Sequence, residues 1–256
     1  MGQRGQGMQL ASWLQKRRHS RSAQHAWGLS PVSSGWYLTG LSRSGSAHPK
    51  LHTFQLLAAD LDELGDSGVS YALRQLTAAG GVFKVRPRLH VGLAMDQVVG
   101  GVLTISAVSD PSEWEADVQV EAARALGLEP PEVSFDWQVD PLSDGVVIQL
   151  HWVACRQDAV HVFKQCVRRS GGQLASVEPV QQAAQRAASC LMGGIDAVIT
   201  RPIQDWQFDL AMLNDRAPPQ AASVHDLMQD QAFQDAMQTP LWPCLVSAGL
   251  ALKAWS

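Results

Sequence analysis

The chain has 256 residues, 46% of them hydrophobic and 17% charged, with a net charge of −4. That length buries a substantial core, and the composition excludes a disordered chain. No run approaches the about 20 apolar residues of a membrane helix, since Gly100, Gly101, Thr104 and Ser106 break the apolar stretch 98–108. The start lacks a compact apolar run of the signal-peptide kind, so the protein is expected in the cytoplasm. Cys155, Cys166, Cys190 and Cys244 stand far apart, which excludes a Cys-x-x-Cys centre, and a reducing compartment argues against a disulfide framework. Charge is uneven along the chain. No acidic residue precedes Asp60, whereas Arg4, Lys16, Arg17, Arg18, Arg21, Arg43 and Lys50 do. Residues 1–25 therefore read as a basic flexible leader, a solvated and frayed tail, the alternative being a short amphipathic helix with Met8, Trp13 and Leu14 beside the basic run.

From Ala26 the pattern turns regular. "AWGL" and "GWYLTGLS" read as two strands around the turn "SPVSSG". Phe54, Leu57, Leu61 and Leu64 recur at three- and four-residue steps, which predicts a helix over 51–64, and a second helix is expected over 67–79. Arg88 to Met95 reads as a buried strand, and Val98 to Val108 as another. Asp110, Pro111 and Glu113 form a helix start, because the carboxylate can cap free amides and proline suits the first turn. Trp114, Val118, Ala122 and Leu126 share one face of that helix. Gly127 permits a left-handed exit, and Pro130-Pro131 forbids continuation.

Val133, Phe135, Trp137 and Val139 alternate strictly, as do Val146, Ile148, Leu150, Trp152 and Ala154, which predicts a hairpin. A helix with Val160, Phe163 and Val167 facing inward opens at Asp158 and ends at Gly171-Gly172. "QLASVEP" is strand-like, Pro179 starts a further helix, and "IDAVIT" reads as a short strand. A helical pattern returns over His225 to Met237, and the chain closes with the small-residue helix "CLVSAGLALKAW".

The stretch "DPSEWEADVQVEAARALGLEPPEVSFDWQV", with "VIQLHWVACRQDAVHVFKQCVRRSGGQLASVEP" after it, resembles the PilM family of type IV pilus assembly proteins. Glu121-Ala122, Phe135-Asp136, Arg156, Gly171 and Glu178 fall in the family's places, and "AGLALKAW" resembles its closing helix. The shorter Gram-negative members of the HofM or competence type are the most similar. This resemblance implies an α/β, actin-like fold related to the cell-division protein FtsA. It would comprise a ribonuclease-H-like first part (26–95), an inserted α+β subdomain (96–155) and a returning segment with a truncated C-terminal half (156–256). It also implies a protein peripheral to the inner membrane that holds the cytoplasmic tail of a bitopic PilN-like partner and meets a pilus motor ATPase, without direct contact to nucleic acid. By segment, Leu93, Met95, Val98 and Trp114 correspond to the partner groove.

Family members also bind ATP. Such a site needs backbone amides around phosphate and an acidic group for hydrated Mg²⁺. Here Ser30 stands where the family has aspartate, and Pro31 lacks an amide hydrogen. Ser33 and Ser34 remain as degenerate phosphate-loop positions. The expectation is a scaffold with no cofactor and no ATP hydrolysis, the alternative being a working actin-like ATPase. A small hydrolase using Cys155 or Cys166 is a distant third reading, since neither thiol sits on a strand-to-helix elbow. The eight histidines show no metal-ligand spacing.

Overall fold

The strands at residues 25–42 begin a five-stranded sheet because apolar and small residues alternate across both of its faces. The computed structural model describes residues 25–32, 35–42, 50–57, 87–106, 108, 110–140, 147–169, 171–192, 230–239 and 242–255. These residues form two compact units, one being 99–157 and the other the residues on either side of it. The expected inserted segment was 96–155.

In the larger unit, β1 (His25–Val32), β2 (Gly35–Ser42) and β3 (Lys50–Leu57) form an antiparallel meander. β4 (Arg88–Leu93) then lies parallel to β1, and β8 (Gln173–Pro179) parallel to β4, giving the order β3-β2-β1-β4-β8. β3 corrects the helix expected over 51–64. Its three- and four-residue spacing also contains a two-residue alternation, which periodicity cannot arbitrate in a short apolar run. The amides and carbonyls of β2 decide it, since pairing with a third strand satisfies them. Residues 58–64, the helix expected over 67–79 and "IDAVIT" lie outside the described residues.

Helices cover both faces of this sheet. On one, Phe163 of α2 (Gln157–Arg169) meets Trp36 edge-to-face at 5.7 Å. On the other, α5 (Trp242–Leu252) crosses β1, β2 and β4 and packs on α3 (Val180–Ala187). One π turn, Ala188–Met192, extends α3, and the short helix α4 (Gln231–Met237) adds Phe233 to the same core. The small residues of α5 set how closely it sits. A Cβ on Gly28 would lie 2.0 Å from the Ser247 carbonyl oxygen, and one on Gly249 would lie 1.8 Å from that of Ala183. Glycine at both positions lets a helix touch a strand and a second helix at backbone distance. The described residues from 230 onward, assigned by the sequence to a shortened second half, thus pack into the core of this sheet.

The smaller unit is a three-stranded antiparallel sheet, β5 (Val99–Ser106), β7 (Val147–Arg156) and β6 (Val133–Val139) in that order, with α1 (Pro111–Leu126) on one face. Asp110 accepts a hydrogen bond from the Ser112 amide at 2.9 Å, and Gly127 leaves the helix at φ 64°. Trp114, Val118 and Ala122 of α1 are buried on Leu150, Trp152 and Ala154 of β7, with Phe135 and Trp137 beside them.

Candidate functional site

β1, β4 and β8 run parallel, so their carboxyl ends, Val32, Leu93 and Pro179, share one edge of the sheet, the edge where open α/β sheets bind ligands. The β1–β2 hairpin and the start of α3 are at this edge. Ser30 lies within the paired part of β1, opposite Tyr37, and is only 1% exposed. Its hydroxyl donates to the Pro31 carbonyl at 3.4 Å. Pro31 pairs with Trp36 and supplies no amide donor. Ser33 and Ser34 lie outside the described residues.

One residue before the end of β8, the buried carboxylate of Glu178 is held by two cations. Arg186 donates from Nη1 to Oε1 at 2.6 Å and from Nη2 to Oε2 at 2.9 Å, and Nη1 also donates to the Gly249 carbonyl at 2.9 Å. Lys253, just beyond α5, donates from Nζ to Oε2. Burial alone would raise the Glu178 carboxyl; the charges and hydrogen bonds of Lys253 and Arg186 outweigh it and hold the pKa at about 2. His90 of β4 is buried nearby, with Nδ1 at 2.7 Å from the Ser176 hydroxyl. Burial chiefly lowers its pKa to about 4, against the opposing pull of Glu178. The cluster ties β8, α3 and the end of α5 together. Sequence reading placed Glu178 and Lys253 by resemblance without joining them, and missed Arg186 and His90; the available signal was a lone charge inside the small-residue runs "QAAQRAAS" and "GLALKAW".

The partner-groove candidates separate. Leu93 and Val98 are 4% and 7% exposed in the larger unit, and half-buried Met95 packs on its core. Trp114, 9% exposed, belongs to the core of the smaller unit, meeting Trp137 edge-to-face at 6.0 Å. Three of these four side chains are therefore core residues in the chain by itself. The exposed residue among them in sequence is Asp96, on the turn Met95–Gln97. The start of α3 adds Gln181, fully buried, with neither amide atom hydrogen-bonded.

A magnesium-nucleotide is the cofactor that the sequence resemblance to the PilM family implies. Ser30, Pro31 and Glu178 do not fit one. The first is sealed under the sheet's helical layer, the second has no amide hydrogen, and the third already has two counter-charges. Among the described residues, no three His, Cys, Asp or Glu side chains gather as metal ligands. Cys155 is buried in the smaller unit and Cys166 half-buried in the larger. No helix among the described residues is long and apolar enough to cross a membrane.

Comparison with protein-family models and with curated protein sequences gives no match. Among solved structures, the chain is similar to one in a PilM-PilN type IV pilus biogenesis complex, at 22% identity and TM-score 0.48, over 64% of this chain and 50% of that one. It is also similar to the cytoplasmic domain of EpsL, an inner membrane component of the type II secretion system of Vibrio cholerae. There the identity is 11% and the TM-score 0.44, over 62% of this chain and 58% of that one. The chain thus spans half the length of the first and 58% of the second.

Proposed function

We propose that this chain is a PilM-like protein, a scaffold of type IV pilus or DNA-uptake machinery that holds the cytoplasmic tail of a PilN-like membrane partner without hydrolysing ATP. The observation that carries this reading is the strand order. A three-strand meander followed by two parallel strands, β3-β2-β1-β4-β8, is the arrangement of a ribonuclease-H-like half, and the 99–157 unit interrupts the chain directly after β4. In this reading that unit is the inserted subdomain of an actin-like fold, and the protein sits in the cytoplasm against the inner membrane. What supports a binding role over catalysis is the edge at the strands' carboxyl ends, where Ser30 and Glu178 are spent on internal contacts. Recognition would rest on apolar anchors and backbone hydrogen bonds. The buried Leu93 and Val98 then back the contact surface of the larger unit, with Met95 as its anchor, while Trp114 stays in the core of the smaller unit.

The test is co-purification with a co-encoded PilN-like protein, intact and without its N-terminal cytoplasmic tail. Loss of capture on removing the tail is expected; unchanged capture contradicts the reading. A second reading, an ATP-binding member, is favoured by the exposed Asp96 and the unpartnered Gln181 amide at the same edge. Mg-ATP binding that is lost in Asp96→Asn would establish it in place of the first.

A further inference from the structure

We propose that the outward face of α1 is the docking surface for this chain's own basic segment, residues 8–21. Between Val99 and Gln157 there are ten acidic residues and two arginines, a net −8 in a protein whose total is −4. Residues 1–21 carry four arginines, one lysine and no acid. The two opposite charges of the chain are thus concentrated in these two stretches, and the rest is close to neutral.

The acidic charge is organised by α1. Trp114, Val118 and Ala122 face the sheet, which turns Glu113, Asp117, Val120 and Arg124 outward along one stripe at helical spacing. Arg124 is already matched by Glu121, from Nη2 to Oε1 at 2.6 Å. The stripe therefore presents net negative charge around Val120, an aliphatic side chain 60% exposed. The segment 8–21 has the complementary make-up. Met8, Trp13 and Leu14 offer apolar surface for Val120, and Lys16, Arg17, Arg18 and Arg21 offer cations for Glu113 and Asp117. Tethering replaces a weak bimolecular contact by an intramolecular one, so modest electrostatic and apolar terms suffice. The occupant is this segment rather than a lipid or nucleic acid surface, because both of those are anionic and would be repelled by α1.

Lys16 is the sole lysine in the first 49 residues, so carbodiimide coupling of the intact protein gives a specific readout. At low salt, a Lys16 amide to Glu113 or Asp117 is expected within monomeric protein, and trypsin should cut after Arg17 several-fold more slowly than in Glu113→Lys/Asp117→Lys. Both effects should vanish in 1 M NaCl, where the Debye length is about 3 Å. Lys16 coupled to other carboxylates, coupling confined to dimer-mass species, or equal cleavage in wild type and variant would overturn the proposal. Each result is independent of whether a PilN-like tail binds.

Discussion

In the five-stranded sheet both faces are covered by helices, and the buried charge of Glu178 is matched by the half-buried Arg186 and Lys253. In the three-stranded sheet a single helix covers one face, while Val102, Thr104, Val147 and Gln149 on the other are exposed. Its core contains Trp114 and Trp152, whose indole N–H groups are buried without a hydrogen-bond partner. An unmade hydrogen bond of this sort costs roughly 1–3 kcal/mol. The larger unit matches Glu178, Arg186 and Lys253 to one another although Gln181 leaves its amide unpaired there, while the smaller keeps most of its charge on the outside. The larger unit is therefore expected to lose stability when its matched charges or close helix contacts are disturbed, and the smaller to tolerate changes at its indoles.

The sharpest way to break this contrast is Gly249→Val. A Cβ there would collide with the Ala183 backbone, which cannot rotate aside. We expect a loss of roughly 3 kcal/mol or more, read as a lowered urea midpoint for the larger unit. Close behind comes Glu178→Gln, which removes the carboxylate that pairs with the half-buried Arg186 and Lys253. Breaking such a pair costs about 3–5 kcal/mol, and the loss should shrink when Arg186→Met is added.

Acid should act on the same unit. His90 titrates at 6.5 unfolded and at about 4 folded, so folding excludes a proton that the unfolded chain takes up. The penalty is absent above pH 6.5 and grows as pH falls towards 4, reaching roughly 3 kcal/mol. Glu178 adds a further loss between pH 4.5 and about 2 as its carboxylate is forced to protonate. A falling Tm between pH 6.5 and 4, flattened in His90→Gln, checks this. The smallest effect is expected in the other unit. Trp114→Phe removes an unpartnered N–H together with some packing, so its urea midpoint should move by less than the equivalent of about 1 kcal/mol.

The same contrast explains what could be read from the sequence. The smaller unit was legible almost residue by residue, because Asp110, Gly127 and the alternation of β6 and β7 are local signals. The Glu178 cluster was not. Glu178 and Lys253 are 75 residues apart, and only tertiary packing brings them together. β3 was misread because a short apolar run satisfies two periods and its neighbour β2 chooses between them. At the candidate site, Leu93, Val98 and Trp114 have the composition of a groove lining and of a core alike, and burial separates the two only in three dimensions. Ser30 and Pro31 were readable as departures from a phosphate loop, whereas the burial of the Ser30 hydroxyl was not.

We propose that the carboxyl edge of β1, β4 and β8 serves protein recognition and does not accommodate a magnesium-nucleotide. Isothermal titration of the intact chain, first with Mg-ATP and then with the PilN-like tail, tests it most directly. Heat on adding the tail and none on adding Mg-ATP is the predicted result. Saturable Mg-ATP binding at micromolar concentration, with no response to the tail, would contradict it.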